Sequence, residues 1–312
     1  RRVTGHSFFM KYRYPAMLHT MPKNLVIFGG FAIGLILMVS IYGVLHARRV
    51  YVRQDPIVIE KSSSLPGLKI ALIADLHLGY NSTKSHVRKI VDTINSQNVD
   101  LVCIAGDLFD NDYDAIKDPD KMADILSGIK SRYGTYACWG NHDVSEKILA
   151  GFTFPQKETI VRDGRFTEFL HHAGITMLED ETVCINNAFY LVGRRDKDMA
   201  KKEQLPRKTF AEITEPLDPS LPIIVMDHQP GELSEASDAG VDLDLSGHTH
   251  DGQMFPANLV VHFLWENACG VLKKGSMTSI VTSGAGVWGP AMRVGTDNEV
   301  VIANVSFDPA TD

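Results

Sequence analysis

The stretch KIALIADLH, residues 69–77, decides the fold class, because an apolar run of strand length ends there in an aspartate and a histidine. Runs of this length and composition are typical of buried β-strands, and they recur along the chain as DLVCIAGD, YACWGN, FYLVGRRD, PIIVMDH and DLDLSGH. Between them, VRKIVDTINSQ, MADILSGIKSR and RFTEFLHHAG have the spacing of amphipathic helices. This alternation predicts an α/β fold with a largely parallel sheet.

Polar residues with ligand chemistry follow five of these predicted strands. The carboxyl ends of the strands in an α/β sheet lie along one edge, where ligand crevices form, so we expect these side chains to meet. A single histidine at a strand end is more often structural than functional, but this many in succession point to a site. The residues concerned are Asp75, His77, Asp107, Asn141, His142, Asp143, His228, His248 and His250.

The residue types favour two adjacent divalent transition-metal ions. Imidazole suits Zn, Fe and Mn, and carboxylate oxygens suit Mn and Fe, so a mixed set favours these metals over Ca²⁺. One carboxylate can bridge two ions while each ion keeps ligands of its own. Paired ions of this kind generate hydroxide at neutral pH and stabilise displacement at phosphorus. We therefore expect two ions, with Mn, Fe and Zn left open.

The order D-x-H, G-D-x-x-D, G-N-H-D, H, G-H-x-H resembles that of the calcineurin-like metallophosphoesterases, from about Lys69 to the end of the chain. The resemblance implies a two-sheet β-sandwich flanked by helices and a phosphoric ester hydrolase. It also implies a role for each motif residue. One metal would be held by Asp75, His77 and His250, the other by Asn141, His228 and His248, with Asp107 bridging and His142 catalytic.

A narrower resemblance is to a membrane-associated bacterial branch of this family. That branch carries a Gly-Gln pair after G-H-T-H and a late G-x-G-x-W-G-P segment, which correspond here to Gly252-Gln253 and residues 284–290. Some of its members are similar to hydrolases of UDP-diacylglucosamine, which implies a phosphate-ester substrate that is lipid-linked. Asp251 departs from the usual small residue, and tuning of metal affinity and simple exposure to solvent both remain open for it.

An apolar segment of twenty-one residues without a formal charge runs from Leu25 to Leu45. It has the length of about 20 residues that a helix needs to cross a bilayer. A cleaved signal peptide is the alternative, but the sequence continues as His46-Ala47-Arg48-Arg49 rather than as a small-residue cleavage site, which favours a retained anchor. We expect a cell-membrane protein with at least one span. Basic residues on both sides leave the orientation open. The presence of further transmembrane helices upstream of Arg1 is also left open.

These observations predict four regions. A basic N-terminal segment covers residues 1–24 and a transmembrane helix covers residues 25–45. A connector with a short edge strand at Ile57–Ile59 covers residues 46–68, and the metallophosphoesterase domain covers residues 69–312.

The charge distribution argues against nucleic acid as a partner. Residues 1–65 carry a balance of +7, whereas residues 66–312 carry 22 Lys and Arg against 36 Asp and Glu, a balance of −14. Non-specific nucleic-acid binding depends on neutralising phosphates with basic side chains, and in this region acidic side chains outnumber the basic ones. The leading hypothesis is a membrane-anchored phosphodiesterase or pyrophosphatase that uses metal-bound hydroxide. A catalytically weak metal-binding scaffold of the same fold and a metal-dependent nuclease remain as alternatives.

Overall fold

The computed structural model describes residues 22–146 and 162–308, together with the backbone of two short strands at Ile148–Leu149 and Phe152–Thr153. Most of the predicted basic segment 1–24 therefore lies outside the described residues. The helices are α1 Lys23–His46, α2 Lys84–Ser96, α3 Pro119–Leu126, α4 Gly164–His172, α5 Lys197–Glu203, α6 Phe210–Thr214, α7 Leu233–Asp238 and α8 Ala257–Leu264. The first seven strands are β1 Tyr51–Ile59, β2 Leu68–Ile73, β3 Leu101–Ala105, β4 Thr135–Cys138, β5 Ile148–Leu149, β6 Phe152–Thr153 and β7 Ile175–Met177. The others are β8 Glu181–Ile185, β9 Phe189–Gly193, β10 Ile223–Met226, β11 Leu243–Ser246, β12 Gly270–Lys274, β13 Met277–Val281 and β14 Glu299–Phe307.

Helix α1 contains the apolar segment expected to span a membrane. In the ranges that the structure describes, it is the one helix long and apolar enough to do so. The chain divides into two units between Ile41 and Tyr42, so the last turn of α1 belongs to the same compact unit as the strands.

Two six-stranded mixed sheets form the centre of this unit. The first has the order β1-β14-β2-β3-β4-β7 and the second the order β12-β13-β11-β10-β9-β8. The fold is the two-sheet sandwich that the resemblance implied. Most neighbouring strands in these two sheets pair in parallel, as the strand pattern predicted, and their antiparallel pairs are β14 with β2, β12 with β13 and β8 with β9. The strand pattern alone did not predict the division into two sheets.

Apolar side chains alternate between two layers because strand residues point to opposite faces. Leu72 and Cys103 of the first sheet and Met226 and Leu245 of the second belong to one buried cluster. Ile73, Ile104 and the buried faces of α2, α3 and α4 form another cluster on the outer side of the first sheet. A third cluster joins the second sheet to α6 and α7. The sandwich is thus covered by helices on both outer faces.

The strand expected at Ile57–Ile59 is present and begins earlier, at Tyr51. It pairs in parallel with β14, with Tyr51 opposite Glu299 and Ile59 opposite Phe307. Pairing over about 250 residues of separation has no local sequence signal, so the pattern of β1 alone did not predict its length.

Candidate metal centre

The residues singled out in the sequence lie in one cluster at the carboxyl ends of strands from both sheets. Strands β2, β3 and β4 of the first sheet and β10 and β11 of the second each lead into one of the loops concerned. The site is therefore formed by loops of two facing sheets and not along the edge of a single sheet. The residues brought together are Asp75, His77, Asp107, Asn141, His142, His228, His248 and His250.

Three buried side chains form what we call the Asp75 group: Asp75, His77 and His250. The Nε2 atoms of His77 and His250 are 3.0 Å apart, and the Asp75 Oδ1 atom is 4.0 Å from His250 Nε2. Two nitrogens that bind one ion at the usual length of about 2.0–2.1 Å lie about 2.9–3.4 Å apart. The geometry of this group therefore fits a shared cation.

A second set, the Asp107 group, consists of Asp107, His228 and His248 with the amide of Asn141 beside them. The His248 Nδ1 atom is 3.2 Å from His228 Nε2. The Asn141 Oδ1 atom lies 2.9 Å from His248 Nδ1 and 3.0 Å from His228 Nε2. Oxygen and nitrogen atoms thus converge on one point here as well.

Asp107 lies between the two groups. Its Oδ2 atom is 3.7 Å from His77 Nε2 in the Asp75 group and 3.2 Å from His228 Nε2. This carboxylate is therefore within reach of nitrogen atoms of both groups.

The protonation of His228 provides a test of whether these residues fit a metal. Its Nδ1 atom is 2.8 Å from the Ala105 carbonyl oxygen, to which only an N–H can donate, so neutral His228 has a bare lone pair on Nε2. That lone pair faces the Asp107 carboxylate and the Asn141 amide oxygen. Three acceptors that face one another need either a proton or a metal cation between them, and this set of nitrogen and oxygen donors fits a divalent ion.

The electrostatics of the site agree with this reading. Burial lowers the pKa of His248 to about 3, so its imidazole is neutral and able to bind a metal at pH 7. Burial alone would also lower the pKa of His228, but the Asp107 carboxylate outweighs it and raises that pKa well above its ordinary value. A proton on His228 is therefore favoured wherever no other cation neutralises Asp107. Burial raises the pKa of Asp75 to about 6.

His142 lies beside both groups, and Asn111 fixes its tautomer. The Asn111 Nδ2 atom donates to the Val144 carbonyl and to Glu146, so Oδ1 must be the atom that faces His142 Nδ1, 2.5 Å away. An amide oxygen only accepts, so His142 Nδ1 carries a proton and Nε2 is left to exchange protons with a ligand. Burial lowers the pKa of His142 to about 4, which makes the imidazole neutral at pH 7.

Two glycines allow the loops to approach this closely. A Cβ atom at Gly106, which has a φ of +81°, would lie 2.6 Å from His228 Nδ1. At Gly140 a Cβ atom would lie 2.2 Å from the Asp107 Oδ1 atom. Any side chain at these positions would displace a member of the Asp107 group.

The backbone around the site is held in the left-handed region, which non-glycine residues adopt infrequently. Such conformations cost about 1–3 kcal/mol each and cluster where the surrounding structure imposes them, often at functional sites. The affected site residues and their φ values are Asp75 +57°, His77 +43°, Asp107 +50°, His248 +70° and His250 +51°.

Several residues that support the site were not identified from the sequence. Asn111 is one, and Arg293 is another: it is fully buried, and its Nη1 atom donates to the His250 carbonyl oxygen at 3.1 Å. Its Nη2 atom donates to the Gly286 carbonyl oxygen at 2.8 Å, which ties the late glycine-rich segment to the G-H-T-H loop. Only the buried position of Arg293 reveals this role, because an arginine has no distinctive signal in the sequence.

The Gly-Gln pair of the narrower resemblance has a structural explanation. Gln253 Nε2 donates to the Trp288 carbonyl oxygen at 2.7 Å, and the Trp288 N–H donates to Gln253 Oε1 at 2.8 Å. These reciprocal bonds hold the Trp288 ring with its centroid 6.0 Å from that of His142.

Two aspartates next to the motif histidines have contacts of their own. Asp143 accepts hydrogen bonds from the backbone N–H groups of Phe109 and Gly140, at 2.8 and 2.7 Å, and so shapes the loop that carries His142. The Asp251 Oδ1 atom is 3.0 Å from His262 Nε2 of α8. Asp251 therefore pairs with a neighbouring helix and is not simply solvated.

A cavity of about 300 Å³ opens onto the cluster. Its polar side includes His77, Asp107, His142, His248 and His250. The Trp288 ring and the α8 residues Ala257 and Val261 form an apolar side. The cavity can therefore place a phosphate beside the metal ligands and an apolar group beside α8.

Comparisons with known proteins agree with this architecture. The sequence model of the calcineurin-like phosphoesterases matches residues 68–252, more than half of the chain. An uncharacterized metallophosphoesterase of Helicobacter pylori is 32% identical over 251 residues, which cover 80% of this chain and 62% of that protein. The chain therefore spans less than two thirds of the length of this relative.

Two further relatives have more informative names. A transmembrane protein with metallophosphoesterase domain from Danio rerio is 28% identical, over 84% of this chain and 59% of its own length. The UDP-2,3-diacylglucosamine pyrophosphatase LpxG of Chlamydia muridarum is 25% identical, over 62% of this chain and 67% of its own length. With its metal-ligand groups and its two-sheet sandwich, the chain belongs to the calcineurin-like phosphoesterase family of phosphoric ester hydrolases.

Proposed function

We propose that the protein is a membrane-anchored phosphodiesterase or pyrophosphatase that works with two divalent metal ions. The observation that carries this proposal is the position of Asp107, whose Oδ2 atom lies 3.7 and 3.2 Å from ligand nitrogens of the two groups. A bridging carboxylate between two nitrogen-rich groups is the arrangement that paired ions need.

In this proposal, every motif residue has one task. The Asp75 group holds one ion, and His228, His248 and Asn141 hold the other, with Asp107 shared. Two such ions, Mn, Fe or Zn, when bound supply Lewis-acid activation of water and neutralise charge on the phosphoryl oxygens. The protein residues contribute the ligands, the buried surroundings and the orientation of the phosphate.

We assign His142 to the leaving oxygen of the ester. Its Nδ1 proton is held by Asn111, so Nε2 is the atom that exchanges protons at the cavity. The imidazole is neutral in the free protein because burial lowers its pKa to about 4. An anionic phosphate beside it favours the protonated form, so the substrate itself promotes the state that can donate a proton.

For the substrate we propose a phosphodiester or pyrophosphate linked to a lipid. The apolar side of the cavity, formed by Trp288, Ala257 and Val261, supports this class, as does the apolar helix α1. The relative named as a UDP-diacylglucosamine pyrophosphatase supports it too. We further propose that residues 25–45 anchor the chain in the membrane, that residues 46–68, which include β1, connect this anchor to the rest of the sandwich, and that residues 69–312 carry the catalytic site.

A substrate panel tests this function. The full chain, purified in detergent with added Mn²⁺, is assayed on bis-p-nitrophenyl phosphate, p-nitrophenyl phosphate and UDP-diacylglucosamine. We expect hydrolysis of the diester and of the lipid-linked pyrophosphate to exceed that of the monoester. Activity restricted to the monoester would contradict the proposed reaction class, and activity on the diester without the lipid-linked compound would contradict only the proposed substrate.

A further inference from the structure

Helix α8 presents a continuous apolar face to the outside of the protein. None of its residues is buried, and the segment 255–264 contains no Asp, Glu, Lys or Arg. Leu259, Val260, Phe263 and Leu264 are exposed by 54, 53, 90 and 72% and lie at positions i, i+1, i+4 and i+5 of the helix. Residues with this spacing share one face. An exposed face of large apolar side chains indicates a surface that binds a protein or a membrane.

An adjoining side of α8 belongs to the site. Ala257 and Val261, one helical turn apart, line the cavity that contains His248. The Trp265 ring, directly after the helix, lies with its centroid 5.3 Å from that of His248. Helix α8 therefore separates the cavity from the outside by the thickness of a single helix.

The backbone contacts place α8 close to the end of α1. The Phe255 N–H donates to the Val294 carbonyl oxygen at 2.8 Å, two residues before α8 begins. The neighbouring Arg293 N–H donates to the Gly43 carbonyl oxygen, in the last turn of α1, at 3.0 Å. The apolar residues of α1 directly precede Tyr42 in the sequence. Two consecutive residues of one loop thus hold the end of the apolar helix and the start of α8.

The charge next to this loop fits a lipid surface. Arg48 and Arg49 are exposed just after α1, and the Lys89 Nζ atom donates to the Arg48 carbonyl oxygen at 3.1 Å. Basic residues that directly follow a membrane helix attract anionic headgroups. A helix that lies parallel to the interface buries its apolar face at the boundary between headgroups and acyl chains and keeps its polar side chains, here Asn258 and His262, outside it.

We propose that α8 docks on the surface of the bilayer that holds α1, and that it guides the acyl part of an amphiphilic phosphate ester from the lipid into the cavity. This inference rests on the proposed membrane anchoring and deepens the proposed substrate class. The exposed face of α8 lies in the lipid, and Ala257 and Val261 contact the part of the substrate next to the phosphate.

A fluorescent label reports whether α8 lies in lipid. The full chain with Cys184→Ser and Phe263→Cys is labelled with nitrobenzoxadiazole maleimide and reconstituted in vesicles of phosphatidylcholine and phosphatidylglycerol. Native Cys184, which is exposed on the edge strand β8, provides the control site in the unsubstituted chain. Cys103 and Cys138 are buried, and burial raises the pKa of Cys269 to about 12, so labelling is directed to the chosen thiol.

We expect nitroxide-labelled lipids to quench the label at position 263 and iodide in the water not to reach it, with the reverse result at Cys184. Equal access of iodide to both labels would overturn the proposal. Protection that rises with the protein-to-lipid ratio, without quenching by the lipid nitroxides, would also overturn it, because it would show that a second copy of the chain covers α8.

Activity on two matched diesters separates this inference from the proposed function. Phe263→Asp in the full chain is compared with Val58→Asp, which changes an exposed apolar residue on edge strand β1. We expect Phe263→Asp to lower hydrolysis of vesicle-embedded phosphatidyl-p-nitrophenol about tenfold or more, because a charge disfavours the lipid boundary. Hydrolysis of soluble bis-p-nitrophenyl phosphate should stay unchanged in both variants.

Equal losses on the lipid diester in both variants would contradict the role of α8. If the unsubstituted chain failed to hydrolyse the soluble diester, the proposed function would fail, while the label at position 263 would still decide where α8 lies.

Discussion

His142 has a fixed tautomer, because Asn111 can only accept the proton on its Nδ1 atom. The sequence identified His142 from its motif, whereas Asn111 carried no signal: an asparagine in a loop usually shapes a turn. Its function depends on the directions of its amide atoms, which are fixed by Val144 and Glu146. Such partners follow from tertiary geometry and not from local pattern.

Replacement of His142 should separate chemistry from metal binding. We expect His142→Ala to retain the metal content of the unsubstituted chain and to lower hydrolysis of bis-p-nitrophenyl phosphate by about 10²–10⁴-fold, the range for a lost proton donor. The measurement pairs steady-state kinetics with metal analysis. The matched control is His172→Ala, an exposed histidine at the end of α4, which should behave as the parent does. Unchanged kinetics in His142→Ala would remove this residue from the mechanism.

Asn111→Ala should impair the same step indirectly. Without its acceptor, the Nδ1 proton of His142 is no longer held, so the tautomer and ring orientation become mixed. We expect a loss in kcat of about 10–100-fold, typical of a lost orienting partner, with KM and metal content nearly unchanged. Asn111→Asp keeps an acceptor for the Nδ1 proton but loses the donor to Val144 and Glu146, so it should recover only part of the activity. A rise in KM at constant kcat would instead indicate a role in substrate binding.

The strands and the polar residues after them are the elements that the sequence predicts best. Runs such as residues 69–74 are apolar on both faces because each sheet lies between a second sheet and a layer of helices. The division into two sheets cannot be recognised from these runs, since β10 and β11 are short buried strands as β2 and β3 are. Helix α8 was missed because Asn258 and His262 are its only polar residues and it carries no charge, and an exposed apolar helix contradicts the pattern on which prediction relies.

Strand β11 carries a buried carboxylate whose ionisation should affect stability. Asp244 accepts hydrogen bonds from Ser279 Oγ at 2.9 Å and Ser246 Oγ at 3.2 Å, and burial raises its pKa to about 7. Because the folded pKa exceeds the unfolded value of about 3.9, folding stability decreases as pH rises from about 4 to about 7. Above that window, the loss is complete and constant.

Asp244→Asn should remove this loss. We expect the thermal midpoint of the variant, relative to the parent, to rise between about pH 4 and 7 and then to level off. The corresponding gain in the free energy of unfolding is on the order of a few kcal/mol at most. Both proteins are measured with saturating Mn²⁺, so that metal binding is common to them. Asp238→Asn, at the exposed end of α7, serves as control. A difference that does not vary with pH would exclude ionisation of Asp244 as its cause.

The whole molecule combines a basic N-terminal region with an acidic catalytic part, of balance +7 and −14. The apolar helix between Leu25 and Leu45 and the family motifs were both readable from the sequence, because each depends on composition or order. The pairing of β1 with β14 was not, since it joins opposite ends of the compact unit.

Membrane anchoring through α1 predicts a clear fractionation result. The full chain should remain in the membrane pellet after washing with alkaline carbonate. Leu35→Arg combined with Ile36→Arg should release it, because each arginine in the middle of a span costs about 2.5–3.5 kcal/mol. Val52→Arg, which adds charge outside α1, should leave the chain in the pellet. Release of the unsubstituted chain would show that α1 does not hold it in the bilayer.

A titration with Mn²⁺ is the most direct test of whether the protein is a two-metal phosphodiesterase. The metal-free full chain is titrated while bound metal and hydrolysis of bis-p-nitrophenyl phosphate are followed together. We expect saturation at two ions per chain, with activity that appears as the second ion binds and is lost in Asp107→Ala. Saturation at a single ion, or two bound ions without hydrolysis of the diester, would contradict it.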